Sequence, residues 1–170
     1  GLIASPTSIN SSWTGFPSKS PSPTPSRRVF NSKSKASLCV SLIVRDEQII
    51  STGYAGAPRK TKDSLTHGFC LRDKLGIPHG QRYELCRSVH AEQNAIINAA
   101  RAGVSLLGGD IYIYGSAPGG VEPISALPCY ICKKMLVNCG LERVVCSAAG
   151  GGANVFRVED WIRDWQERDI

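Results

Sequence analysis

The sequence contains a histidine, a glutamate and two cysteines whose spacing could support metal chemistry. His90 precedes Glu92 by two positions, and a Pro-Cys-Tyr-Ile-Cys segment occupies positions 128 to 132. Cys129 and Cys132 are three positions apart, so on a helix their sulfurs lie on one side. Cysteine thiolates and a neutral imidazole are ligands that zinc prefers. The pattern therefore predicts zinc (Zn2+) held by His90, Cys129 and Cys132.

Three protein ligands leave the fourth position of a zinc ion open for water, which is typical of a catalytic site. Bound zinc lowers the pKa of that water from about 16 to near 7. Glu92 lies two positions from His90, close enough to move protons without binding the metal. His-x-Glu followed by Pro-Cys-x-x-Cys is the signature of zinc-dependent base deaminases. We therefore predict hydrolytic deamination by a zinc-bound hydroxide, with Glu92 as the proton shuttle.

The two cysteines have three alternative interpretations: a structural zinc knuckle, a pair that is merely buried, and a redox-active pair. A lone Cys-x-x-Cys segment would favour a structural role, and a redox pair would not need the His-x-Glu segment. The proline before Cys129 and the elements between the two segments fit the catalytic interpretation, which we prefer.

The rest of the sequence predicts the elements that position these residues. The strand patterns and the helix start and stop signals alternate along the chain, which indicates an α/β fold with a central sheet. Strands are predicted at 37–44, 48–54, 110–114, 143–147 and 156–158, and helices at 89–101, 128–139 and 159–168. Residues 55–88 are predicted to form a long functional connection, and residues 115–127 a loop.

Residues 1–36 are rich in serine and proline, and they are predicted to form an irregular or flexible leader before a deaminase domain at 37–170. A transit segment and an artefact are the alternative origins of the leader. The chain carries a formal charge of +6, but five basic residues and no acid lie in its first 38 positions. The remainder is nearly neutral, so no nucleic-acid partner is expected. No apolar stretch approaches the roughly 20 residues that span a bilayer, so no membrane association is expected.

The chain has seven cysteines, an odd number, and it shows no export signal. A disulfide scaffold is therefore disfavoured, and metal binding in a reducing compartment is the better interpretation. We accordingly expect a cytoplasmic protein.

Four segments resemble the deoxycytidylate (dCMP) deaminase family of the cytidine deaminase-like superfamily. They are IISTGYAGAPR at 49–59, CLRDKLGIPHGQRYELCRSVHAE at 70–92, VHAEQNAIINAA at 89–100 and PCYICKKMLVNCGLERVV at 128–145. The resemblance implies a three-layer α/β/α sandwich with a central mixed sheet. It also implies hydrolysis of dCMP to dUMP and ammonia by a homo-oligomer, often a hexamer, with control by dCTP and dTTP in some members.

The resemblance suggests further site residues. Ala55 stands where the family usually has a sugar-binding asparagine, which puts the substrate in question. Arg59, Arg82 and Arg87 are candidates for phosphate binding because arginine suits bidentate contacts, although solvated surface charge is the alternative for each. Tyr130, next to Cys129, is a candidate for stacking on the base.

A second metal site is also implied by some relatives. Here it would use Cys70, Cys86 and His67, but two of the expected cysteines are missing, so we favour free buried thiols or a weak site.

Two other functions stay open. The first is deamination of another base, such as cytidine, a pterin or riboflavin precursor, or adenosine in RNA. The second is a catalytically weak zinc protein that binds nucleotides as a regulator, suggested by Ala55 and by the unusual N-terminal segment. The long connection at 55–88 favours a mononucleotide substrate, and the intact His90, Glu92, Cys129 and Cys132 favour an enzyme.

Overall fold

The computed structural model describes residues 37–78 and 81–168. It begins with the predicted hairpin, in which β1 (Leu38–Arg45) pairs antiparallel with β2 (Gln48–Tyr54). Asp46 and Glu47 form the turn, and both have positive φ angles of 51° and 62°. Two consecutive left-handed residues match the twist of the flanking strands, which explains the tight two-residue connection. The predicted leader at 1–36 lies outside the described residues.

The strands form one mixed sheet in the order β2-β1-β3-β5-β6. β3 (Asp110–Ser116) runs antiparallel to β1 and parallel to β5 (Arg143–Ser147). The parallel pair needs a crossover connection, and α4 (Tyr130–Asn138) provides it. β6 (Ala153–Arg157) forms the edge beyond β5, and β4 (Pro123–Ile124) pairs with the end of β3. The predicted central mixed sheet is therefore confirmed.

Three helices cover one face of this sheet. α3 (Ala91–Ala102), α4 and α5 (Val158–Glu167) contribute buried apolar side chains to one core with the strands. Its members include Ile43, Ala95, Ala99, Ile111, Leu136, Val144, Cys146, Val158 and Trp161. The mixed sheet covered by helices confirms the predicted α/β fold class. Within the described residues, the second face stays open, with Tyr112 and Tyr114 each 40% exposed.

The first two turns of α3 lie unusually close to β2. A Cβ atom on Gly53 would sit 2.1 Å from the carbonyl oxygen of Ala91 and 2.4 Å from the backbone nitrogen of Ala95. Only glycine permits this approach. The Ser51 hydroxyl donates a hydrogen bond of 2.6 Å to the carbonyl oxygen of Ala95, and Asn94 Nδ2 donates one of 2.8 Å to the carbonyl oxygen of Tyr54. These contacts fix the start of α3 on the sheet.

The connection at 55–88 contains more structure than the sequence predicted. It holds two single-turn helices, α1 (Ser64–His67) and α2 (Leu71–Lys74), and a 3-10 turn over Tyr83–Leu85. Elements of three or four residues are too short to show periodicity, and the same holds for β4 within the predicted 115–127 loop. Among the described residues, no helix has the length and apolar content needed to cross a bilayer.

Candidate metal centre

The candidate metal centre lies where two helices begin. His90 is the N-cap residue of α3, and Cys129 is the N-cap residue of α4. Both residues have extended backbone, and the His90 N–H donates a hydrogen bond of 3.1 Å to Gln93 Oε1. The predicted helices began two residues earlier, at Val89 and Pro128. Because Val89 forms a β-bridge with Gly56, it cannot join α3.

Three ligand atoms converge at this point. His90 Nδ1 lies 3.5 Å from the Cys129 sulfur and 3.4 Å from the Cys132 sulfur. All three atoms lie within 4.8 Å of one another, and Cys132 is fully buried. Among the described residues this is the group of three or more histidine, cysteine or acidic side chains that could hold a metal ion. The structure thus brings together the three residues that the sequence pattern predicted.

The electrostatics of the group favour one thiolate. A hydrogen bond from the Cys132 thiol, assisted by one from His90, lowers the pKa of Cys129 to about 4. The same bond, together with burial, raises the pKa of Cys132. The hydrogen bond to Cys129 also raises the pKa of His90. A thiolate at the N-terminus of α4 is further favoured by the positive end of the helix dipole.

Glu92 lies in the first turn of α3, next to these ligands. Its side chain is 5% exposed, and burial raises the pKa of its carboxyl group. A carboxyl group with a raised pKa exchanges protons more readily near neutral pH than an exposed one. Glu92 is therefore suited to transferring protons beside the metal.

The donor set fits zinc. Two sulfurs and one imidazole nitrogen are the preferred ligands of this ion, and three protein ligands leave one position for water or substrate. The two helix N-termini add donor groups and positive potential that stabilise the thiolates. His90, Cys129 and Cys132 are thus the residues that could hold the metal.

An open cavity of about 650 Å3 is lined mostly by residues of the connection at 55–88, and none of His90, Glu92, Cys129 and Cys132 lines it. The Gly56–Val89 bridge joins its wall to the residue that precedes His90, with backbone hydrogen bonds of 2.8 and 3.1 Å. Four predicted site residues line it: Ala55, Arg59, Cys70 and Cys86. Arg59 donates a hydrogen bond to Asn98 Oδ1 from α3. Of the three candidate phosphate-binding arginines, Arg59 is thus the one that lines the cavity.

The other predicted site residues lie elsewhere. Arg82 pairs with Glu84, and Arg87 Nε donates a hydrogen bond of 2.6 Å to the carbonyl oxygen of Lys62. The Tyr130 ring packs against Trp165 of α5, with 5.5 Å between the ring centroids. The cavity is not lined by any of the other predicted site residues Arg82, Arg87, Tyr130 and His67. Their roles in binding substrate or a second metal stay predictions.

The structure does not bring Cys70, Cys86 and His67 together as a metal site. Within the described residues, these three are not a group whose ligand atoms lie within 4.8 Å of one another. The His67 ring instead meets Phe69 edge-on, at a centroid distance of 6.0 Å. Cys70 and Cys86 are half-buried and form no disulfide, and the preference for free thiols or a weak site stays a prediction.

One residue at the site was missed by the sequence interpretation. The ring of Tyr83 contacts the His90 imidazole, with a centroid distance of 5.2 Å. Tyr83 lies within the segment at 70–92 that carries the resemblance, seven positions before His90, but its spacing from the histidine did not indicate a contact.

Comparisons with known proteins agree with the site geometry. The model of a family described as the cytidine and deoxycytidylate deaminase zinc-binding region matches residues 27–148, more than half of the chain. The deoxycytidylate deaminase of Mycobacterium phage D29 is 31% identical over 110 residues, which cover 62% of this chain and 73% of that protein. The deoxycytidylate deaminase of Schizosaccharomyces pombe is 29% identical over 104 residues, or 61% of this chain.

The chain spans 28% of the length of the S. pombe relative. Among solved structures, dCMP deaminase from the cyanophage S-TIM5 in complex with dCMP and dUMP aligns with a TM-score of 0.44. It is 20% identical, and the alignment covers 62% of each chain.

Proposed function

Because the chain belongs to the cytidine and deoxycytidylate deaminase zinc-binding family, we propose that it deaminates a cytosine nucleotide, converting dCMP to dUMP and ammonia. The observation that carries the proposal is the buried Glu92 carboxyl group beside the converging His90, Cys129 and Cys132 ligand atoms. Relatives named deoxycytidylate deaminase support dCMP as the substrate.

Bound zinc would supply Lewis acidity that activates water for attack on the ring. His90, Cys129 and Cys132 would hold it. Glu92 would take a proton from the attacking water and deliver it to ring nitrogen N3 of the base. It would then take the proton of the new hydroxyl group at C4 and pass it to the amine as the bond between C4 and nitrogen breaks, which leaves a carbonyl at C4 and releases ammonia. One carboxyl group thus serves as base and then as acid.

Arg59 is the candidate phosphate ligand that the cavity supports. Its guanidinium group lines the cavity wall and is held by Asn98, so little rotamer freedom remains to be lost on binding. Ala55, on the same wall, offers no polar group to the sugar. A substrate would therefore depend more on its phosphate than on its sugar hydroxyls for affinity.

The test is ammonia release from dCMP, CMP, deoxycytidine and cytidine by the zinc-loaded protein. We expect turnover of dCMP above the other three, its loss on treatment with a chelator, and its return when zinc is added. Glu92→Gln should retain zinc and lose about 100- to 10,000-fold in kcat. Glu122→Gln, at an exposed glutamate between β3 and β4, is the matched control and should behave as wild type.

No turnover of any of the four substrates by a protein that binds zinc would refute the proposal. That result would favour deamination of another base, or a regulator that binds nucleotides without turning them over. Assembly as a homo-oligomer and residence in the cytoplasm stay predictions that this assay does not address.

A further inference from the structure

Two aromatic rings meet at the edge of the metal centre. The Tyr83 ring lies 5.2 Å from the His90 imidazole, and the two planes make an angle of 88°. This edge-to-face arrangement is one of the two that aromatic rings favour. Both residues are half-buried, so the contact is partly shielded from water. Because His90 Nδ1 faces the two sulfurs, a ring packed against the imidazole limits its rotation away from them.

A cation holds the tyrosine ring in turn. The guanidinium carbon of Arg72, from α2, lies 4.9 Å from the centroid of the Tyr83 ring. Arg72 Nη2 donates a hydrogen bond of 2.8 Å to the carbonyl oxygen of Pro78, which fixes the guanidinium group to the backbone. A cation within about 6 Å of an aromatic face is attracted by the ring. The connection at 55–88 thus reaches the metal ligand through two successive contacts.

We propose that Tyr83 is a positioning residue for His90, and that Arg72 acts on the metal centre by holding the Tyr83 ring. Metal-binding histidines commonly depend on an outer partner that orients the ring, and such partners affect metal affinity. Here the orienting contact is an aromatic ring. The inference rests on the zinc site of the proposed function, and it gives the connection at 55–88 a role in supporting the metal centre beyond the roles that the sequence suggested.

Metal binding tests the inference independently of turnover. The zinc dissociation constant is measured by competition with a chromophoric chelator, and ligand geometry by the absorption spectrum of the Co2+-substituted protein. Tyr83→Leu should weaken zinc binding by about 2- to 10-fold, the range expected for loss of an aromatic pair. It should also change the intensity of the cobalt bands. Tyr83→Phe retains the ring and should match wild type in both measurements.

Arg72→Met should give a smaller effect in the same direction. Because Arg72 acts through Tyr83, the Tyr83→Leu, Arg72→Met double variant should bind zinc no more weakly than Tyr83→Leu alone. Tyr112→Leu, on the open face of the sheet, and Arg101→Met, in the last turn of α3, are the matched controls. Both controls should leave zinc affinity and the cobalt spectrum unchanged.

Wild-type zinc affinity and an unchanged cobalt spectrum in Tyr83→Leu would overturn the inference, as would additive losses in the double variant. If Tyr83→Leu fails to fold, Arg72→Met decides, since an unchanged affinity in that variant also overturns it. Failure of the wild-type protein to give a tetrahedral cobalt spectrum would instead refute the metal site itself. The two failures are therefore distinguishable.

Discussion

Replacing Gly53 by alanine should displace the start of α3 and thereby disturb the metal centre, although no metal ligand is changed. The added Cβ would lie 2.1 Å from the Ala91 carbonyl oxygen. Cβ atoms essentially never lie closer than 3.0 Å to such an atom, so this distance must increase by at least 0.9 Å. The neighbouring Ala95 backbone, at 2.4 and 3.0 Å, blocks sideways relief. The obstructing atoms are backbone, so α3 itself must move by about 1 Å.

Two consequences follow from a shift of that size. Overpacking of this kind costs about 1–3 kcal/mol, which for a domain of this size corresponds to a fall of roughly 2–12 °C in Tm. His90 and Glu92 move with the first turn of α3, while Cys129 and Cys132 stay on α4. A misplacement of about 1 Å in a catalytic group can reduce the rate about 100-fold.

Calorimetry and dCMP turnover would measure the two effects on one preparation. Gly120→Ala is the matched control, because its Cβ would meet nothing closer than 3.8 Å. That variant should keep wild-type Tm and turnover. An unchanged Tm and an unchanged kcat in Gly53→Ala would show that α3 does not depend on this close approach, and the reasoning would fail.

Three further predictions concern the sheet and the core. Ser51→Ala removes the buried hydrogen bond to the Ala95 carbonyl oxygen and should lower the free energy of unfolding in urea by about 0.5–1.5 kcal/mol; an unchanged midpoint would contradict this. Leu136→Ala, at a fully buried position, should cost about 2–5 kcal/mol in the same assay, whereas Ile131→Ala, at a half-exposed position of the same helix, should cost far less. Burial raises the pKa of Cys39 to about 11, so its thiol stays protonated at pH 8. Its alkylation, followed by peptide mass mapping, should therefore rise about tenfold per pH unit from 8 to 10, and a flat profile would contradict the raised pKa.

The metal centre was predictable because its signal is local. His90 and Glu92 share one helix turn, and Cys129 and Cys132 share another. Residues at such short spacings lie close together independently of how the rest of the chain packs. The same holds for the hairpin, where strand alternation and a turn coincide. Membership of the deaminase family and the mixed sheet, both expected from the sequence, are confirmed.

Contacts made over longer separations were not predictable. The Tyr130 ring contacts Trp165 of α5, which lies far along the chain, and the role of Tyr130 in stacking on the base stays a prediction. The contact between Tyr130 and Trp165 depends on how α4 and α5 pack together, and no spacing within either segment encodes that packing.

The meeting of two helix N-termini at the metal centre has a further consequence for folding. His90 is separated from Cys129 by 39 positions and from Cys132 by 42, so one bound ion would join the half of the chain that holds β1, β2 and α3 to the half that holds β3, α4 and β5. Closing a loop of that length with a covalent cross-link removes about 4 kcal/mol of chain entropy from the unfolded state in the loop-closure model. A metal that joins the same positions acts as a removable cross-link, and its loss would loosen both halves together. Thermal inactivation and release of the metal should then be one event rather than two.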